Sequence, residues 1–254
     1  MILGFIGTGK ISSSIIYGIF NSKLKVKRIY ISSRNKNIAK KLTKKFAKVI
    51  IVNNNQEIIN RSSTIILGIT PNVANRILSK LRFSKNKKII SLISTINLEK
   101  LKKTTKNKNI VRAIPLPPVE INKGPIIICP PNKNAKNFFK HLGTVIEMRN
   151  EKLSYKFWST ASIMASYYEI LNVSSNWLIK KGVKKNIANN YIAELFLSLS
   201  QDAVNKHSQG FRKLVKDSQT PKGLNMQVLK ELQRNKFYSK FFKALENVNK
   251  RVSN

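Results

Sequence analysis

The chain opens with a pattern that can hold a phosphate. Gly4-Phe5-Ile6-Gly7-Thr8-Gly9-Lys10-Ile11-Ser12 ends one apolar run and begins a stretch with helical spacing. Gly7 permits a tight turn, Gly9 lets the backbone come close to a pyrophosphate, and Ser12 is small enough for the helix to pack on the strand. N–H groups at the helix start then face the anion, so Gly7, Thr8, Gly9, Lys10 and Ile11 are expected around it. A glycine pattern alone says little. Here it sits at the head of a strand-helix-strand series, which is the context a dinucleotide needs. A tight turn without a ligand is the alternative.

The end of the second strand selects the nucleotide. A chain that binds NADH usually places Asp or Glu there to hold the ribose hydroxyls. This one reads Ile31-Ser32-Ser33-Arg34, with no acid nearby. Ser hydroxyls and an Arg fork suit a 2′-phosphate, which an acid would repel. NADPH is therefore the expected cofactor, with NADH as the alternative; the competing reading makes Arg34 one more solvated cation. No metal site is expected. His141 and His207 stand alone in charged helices and need take no part in chemistry.

Alternating elements must position this turn. Strands are expected at Ile2–Gly7, Arg28–Ser32, Val49–Val52, Ile65–Ile69, Lys88–Leu92 and Asn109–Ile114, several of them apolar at nearly every position. Helices are expected at Ile11–Asn21, Asn35–Phe46, Asn72–Leu81 and Leu98–Lys103. Strict alternation implies right-handed crossovers and a parallel, doubly wound α/β sheet. A last strand pair, Pro125–Cys129 and Thr144–Glu147, brackets a helix near Asn134–His141. From about Asn150 the pattern is helical only. Ile163, Tyr167, Ile170, Leu171, Ser174, Trp177 and Leu178 share one helix face, and Gly182 suits a helix C-terminus. Ile187, Tyr191, Leu195, Leu199 and Ala203 form a second stripe; Phe237, Phe241, Leu245, Val248 and Val252 form a third. The expected organisation is a Rossmann-like domain over residues 1–149 and an all-α dimerisation domain over 150–254.

Bulk properties bound the class. With 254 residues and 42% of them hydrophobic, the chain can bury a core. Cys129 is its single cysteine, which excludes an internal disulfide and suits a reducing compartment. No apolar run approaches the length of a membrane span, and the first residues read as a strand, so a cytoplasmic protein with no membrane partner is expected. Lys and Arg number 48 against 11 acids, a net charge of +37. That charge would attract nucleic acid. The lysines are scattered, however, uncharged Asn is conspicuous beside them, and no zinc-finger or RNP-type motif is present, so no specific nucleic-acid partner is expected.

Taken together, these segments resemble the pyrroline-5-carboxylate reductase family. The opening GFIGTGKISSSI is similar to that family's GFIGxGxMxxAI, and Ser32-Ser33-Arg34 resembles its Ser-Asn-Arg. Asn55-Gln56-Glu57 is like its Asn-x-Glu, whose Asn touches the cofactor, and Ile69-Thr70-Pro71 falls where it has Val-Lys-Pro. Ser91-Leu92-Ile93-Ser94-Thr95-Ile96 resembles Ser-Ile-x-Ala-Gly-Ile. Val111-Arg112-Ala113-Ile114-Pro115 is close to Val-Arg-Val-Met-Pro, with Gly124 following. Thr220-Pro221-Lys222-Gly223 resembles Ser-Pro-Gly-Gly, a turn that opens a helix. The resemblance implies hydride transfer from NADPH to 1-pyrroline-5-carboxylate, giving proline, in a homodimer or larger homo-oligomer. It also implies that the substrate carboxylate meets Thr220, Lys222, Gly223, Leu224 and Asn225. Asn225 occupies a Thr position of the family and is the side chain expected to act on the substrate. This chain departs from the pattern at Lys222, at Leu224-Asn225, at Leu116-Pro117-Pro118 and within Ser162–Tyr168. Another small imine or a keto acid, and a non-enzymatic NADP-binding role, stay open at this point.

Overall fold

The computed structural model describes residues 1–253. Its contacts divide the chain into two compact units, Met1–Trp158 joined by the last helical turn from Asn249, and Ser159–Val248.

The first unit alternates as the sequence implies. In order come β1 (Ile2–Ile6), α1 (Lys10–Asn21), β2 (Arg28–Ser32), α2 (Lys36–Lys45), β3 (Val49–Val52), α3 (Asn55–Arg61), β4 (Thr64–Leu67) and α4 (Pro71–Ile77). Then follow β5 (Lys88–Ser91), α5 (Leu98–Thr105), β6 (Ile110–Ile114), β7 (Pro125–Cys129), α6 (Lys133–Phe139) and β8 (Thr144–Glu147). The strands form one sheet in the order β3-β2-β1-β4-β5-β6-β7-β8. All neighbours run parallel except β6 and β7. The link between those two holds only a 3₁₀ turn, Pro117–Ile121, and a parallel crossover needs a dozen or more residues. The sheet is therefore mixed at one end, where strict alternation had implied a parallel one throughout.

Apolar strands explain the two-sided cover. On one face Leu3, Phe5, Ile29 and Ile31 pack with Ile15, Ile19, Ala39, Leu42 and Phe139, which belong to α1, α2 and α6. On the other, Ile6, Ile65 and Leu67 pack with Ile58, Ile59, Val73, Ala74 and Leu101 of α3, α4 and α5. The abundant asparagines also have a structural use. Asn35, Asn54, Asn97 and Asn132 each accept a backbone N–H at a helix start. One such cap creates α3, a helix absent from the sequence reading, where the short Asn-rich run gave no periodicity.

The remaining helices are α7 (Glu151–Ala161), α8 (Met164–Lys180), α9 (Lys185–Lys206), α10 (Phe211–Asp217), α11 (Leu224–Arg234) and α12 (Phe237–Ser253). The compact division falls inside α7, after Trp158, rather than at its start where the composition changes. Arg112 explains this, because it holds Glu151, Tyr155 and Trp158 against the sheet. Gly182 ends α8 with φ +93°, Val183 N–H bonding Leu178 O and Gly182 N–H bonding Ile179 O. That paired closure needs a left-handed residue. Within Ser159–Val248 only Ser159, Ser175, Ala188 and Ile192 are buried among the described residues. The expected apolar stripes are present, but most of their large side chains remain exposed.

Candidate functional site

The glycine turn is locked by the neighbouring strand. Gly7 has φ +98°, and a Cβ there would lie 2.3 Å from Gly68 O, so both conformation and space demand glycine. Its N–H donates to Ser32 Oγ at 3.0 Å. Thr8 Oγ1 donates to Ser32 O at 2.6 Å and lies 3.2 Å from Ser32 Oγ. Since the Thr8 proton goes to the carbonyl, Ser32 supplies the proton of the second contact. The result is a closed, buried relay that fixes the shape of the turn.

Gly9 differs. Its backbone, φ −89° and ψ −173°, is open to any residue, and a Cβ would meet nothing within 4 Å. The space a side chain would fill is open, and that space is what an approaching phosphate requires. Gly9 is the N-cap of α1 and brings no side-chain cap, and no acid stands in the first turn. The N–H groups of the helix start are thus suited to an anion. Around this turn lies a cleft of about 560 Å³. Its floor is Gly7, Thr8, Gly9, Gly68, Ile69 and Thr70, and one wall is Arg34, Asn35, Lys36 and Asn37. The first acidic residue in the chain is Glu57, so this whole β1–β3 portion carries cations only. The glycines, the helix start and the cationic wall fit the phosphates of a dinucleotide.

In the second unit, Thr220-Pro221-Lys222-Gly223 forms a turn closed by Gly223 N–H to Thr220 O at 2.9 Å. Pro at its second position and a left-handed third residue, Lys222 at φ +61°, follow the type II pattern. The turn delivers the chain into α11, whose N-cap Gly223 offers no side chain. Asn225 lies in the first turn, and its Nδ2 donates to Ser218 O at 2.9 Å. One N–H of that amide is thereby committed to closing the loop. Leu224 is 80% exposed.

A third cluster surrounds Arg112. Beside it, burial pushes the Cys129 thiol above its ordinary range and Glu151 adds to the rise, while Arg112 opposes them. Cys129 is therefore a protonated core thiol and not a nucleophile. Burial likewise raises Tyr155. Among the described residues, no group of His, Cys, Asp and Glu is placed to hold a metal ion.

Two family descriptions match the chain: "NADP oxidoreductase coenzyme F420-dependent" over residues 2–97, and "Pyrroline-5-carboxylate reductase dimerisation" over residues 157–254. A pyrroline-5-carboxylate reductase of Synechocystis sp. is 26% identical over 155 residues, which cover 58% of each chain. Over these stretches the chain is similar to pyrroline-5-carboxylate reductases. The matched stretch spans little more than half the length of that relative. Among solved structures, Plasmodium falciparum pyrroline carboxylate reductase with NADP bound superposes with a TM-score of 0.86 at 21% identity. It matches over 100% of this chain and 97% of its own. The 1-pyrroline-5-carboxylate reductase of Streptococcus pyogenes gives 0.85 at 22% identity, over 100% and 98%. At these identities the likeness establishes the fold.

Six of the residues expected at the cofactor, Gly7, Thr8, Gly9, Arg34, Ile69 and Thr70, line the cleft. Lys10, Ile11, Ser33, Asn55 and Pro71 are not among its lining residues. Ile11 packs on the core, Lys10 is exposed at the start of α1, Asn55 begins α3 and Pro71 begins α4. Ser32 needs correcting: its hydroxyl points to Gly7 and Thr8, so it holds the turn instead of a 2′-phosphate. Thr8 likewise spends its hydroxyl on β2 and gives the cleft its backbone. Asn35, Lys36, Asn37 and Gly68 were missed. The signal for the first three was an Asn cap directly after a strand. For Gly68 it was a glycine closing β4, where a Cβ would lie 2.1 Å from Ser12 Oγ.

Proposed function

We propose that this chain is an NADPH-dependent reductase of a cyclic imine, 1-pyrroline-5-carboxylate, with proline as the product. The observation that carries the reading is the cleft: a Ser32-locked glycine turn facing a wall of Arg34 and Lys36 with no acid before Glu57. Likeness to pyrroline-5-carboxylate reductases supports the imine.

NADPH bound there supplies the hydride. Gly9 leaves room for the pyrophosphate, and the start of α1 faces it with unoccupied N–H groups. Arg34 and Lys36 are placed for the 2′-phosphate; Arg34 can form a fork that a point charge cannot. A protonated imine is already electrophilic, so the chain's task is to position it and exclude water rather than to provide an acid or base. That agrees with a Cys129 thiol held neutral. The substrate carboxylate is assigned to the N–H groups at the start of α11 and the second amide proton of Asn225, with Thr220, Lys222, Gly223 and Leu224 shaping the turn. Two copies are assigned to cover the exposed stripes of α8 and α9, in keeping with the dimerisation description matched by residues 157–254.

The test is oxidation of NADPH by the purified chain on adding 1-pyrroline-5-carboxylate, with proline identified as product. Turnover with NADPH, slower with NADH, is expected. Tight NADPH binding without turnover would transfer the reading to another small imine or a keto acid. The left-handed Lys222 and the Leu224-Asn225 pair favour that second reading, because they alter the turn assigned to the carboxylate.

A further inference from the structure

Arg112 is a cation sealed in the middle of an aliphatic strand. Its side chain is 1% exposed. A guanidinium in that setting is costly unless its protons are met; both Nη groups are, while Nε has no partner. Nη1 donates to Glu151 Oε1 at 2.6 Å and Nη2 to the Ser94 carbonyl at 2.6 Å. Rings of Tyr155 and Trp158 each lie 4.6 Å from Cζ. Glu151 Oε1 also accepts the Leu98 N–H at 2.8 Å. The loop between β5 and α5 is thus gripped at both ends, directly at Ser94 and through Glu151 at Leu98. β6 and the first turns of α7 form the other jaw.

The place of that loop gives the grip a purpose. In a doubly wound sheet, ligands lie beyond the carboxyl ends of the strands. The cleft occupies those ends at β2, β1 and β4, with Arg34 on the β2 side. The next strand in the sheet is β5, whose following loop is the one Arg112 holds. Packing alone does not call for arginine here, because apolar residues of similar size replace buried ion pairs with little loss. What only the fork supplies is a directed partner for the Ser94 carbonyl and, through Glu151, for the Leu98 N–H.

We propose that Arg112, with Glu151, is a positioning residue that fixes the β5–α5 loop against the reacting end of the bound dinucleotide. This rests on the reading that the cleft holds NADPH. Arg112→Met keeps the bulk and removes the fork; Arg112→Lys keeps the charge and one contact. Glu151→Ala, at a side chain 23% exposed, repeats the test at the outer partner should Arg112→Met not fold. Three quantities are measured on the full chain: affinity for adenosine 2′,5′-bisphosphate, which fills only the Arg34 end; hydrogen exchange at the Leu98 amide; and kcat and KM with NADPH.

Arg112→Met is expected to bind the bisphosphate within about twofold of the unaltered chain, to exchange the Leu98 proton at least tenfold faster, and to lose at least tenfold in kcat while the KM for NADPH changes less than threefold. Arg112→Lys should recover part of the kcat. Where the substrate is not turned over, the same role is read as lower fluorescence anisotropy of bound reduced nicotinamide at unchanged bisphosphate affinity. Faster exchange with kcat and anisotropy both unchanged would make Arg112 a core strut only and overturn the proposal. Failure of the unaltered chain to bind the bisphosphate would remove the cofactor reading and this role with it.

Discussion

Ser32→Ala separates two roles for one hydroxyl. In the structure Ser32 Oγ accepts the Gly7 N–H and bonds Thr8 Oγ1, all within buried surroundings. Alanine leaves the Gly7 N–H without a partner, and a buried orphan of this kind costs about 1–3 kcal/mol. The Thr8 hydroxyl keeps its bond to Ser32 O, so the lower half of that range is expected. The same loss loosens the phosphate turn, which both dinucleotides use alike. NADPH and NADH should therefore weaken together, by at most about tenfold for each 1.4 kcal/mol, with their ratio unchanged. Had Ser32 touched the 2′-phosphate, NADPH alone would weaken and stability would hardly move. Urea unfolding and parallel cofactor titrations distinguish the two. A stability change below about 0.5 kcal/mol, the range of ordinary surface substitutions, would refute the relay; so would a selective loss of NADPH.

Other outcomes follow from the same geometry. Arg34→Asp places an acid on the cleft wall and should weaken NADPH by roughly tenfold or more while NADH changes little, because the lost contact is to the 2′-phosphate alone; equal loss for both cofactors in titration would count against it. Lys222→Gly should raise unfolding free energy by about 0.5–1 kcal/mol, since a left-handed non-glycine residue is strained by 1–2 kcal/mol and glycine returns part of that as unfolded-chain entropy; a lower urea midpoint would contradict the strain. Asn225→Ala should lower kcat/KM by roughly ten- to hundredfold through one lost bond to a charged group, with NADPH affinity unchanged. Unchanged efficiency would remove the substrate carboxylate from this turn. Sedimentation at moderate salt, where the repulsion of +37 charges is screened, should show a dimer or larger species at micromolar concentration; monomer alone would oppose the interface reading.

What the sequence disclosed, and what it withheld, follows from the range over which each signal acts. The glycine turn, the strand runs and the alternation are local, and they located β1 through β6 closely. Interactions between distant segments left weaker traces. Ser32 looked like a cofactor hydroxyl because only the β1–β2 pairing shows that Gly7 reaches it first. Arg112 left one mark, a charged residue within Ile110–Ile114, but nothing in the sequence pairs it with Glu151 across the intervening elements. The helical half is the opposite case. Its periodic apolar residues were easy to find, yet periodicity names a face and not what covers it. In the single chain Trp177 remains 60% exposed and Tyr191 58% exposed, while Ser175 of α8 and Ala188 and Ile192 of α9 are buried. The contact between α8 and α9 therefore leaves those rings open. Exposed aromatic area of this kind is costly in water and is how association surfaces are recognised. Burial of those rings by a second copy would complete, between chains, the core that Ser159–Val248 lacks within one.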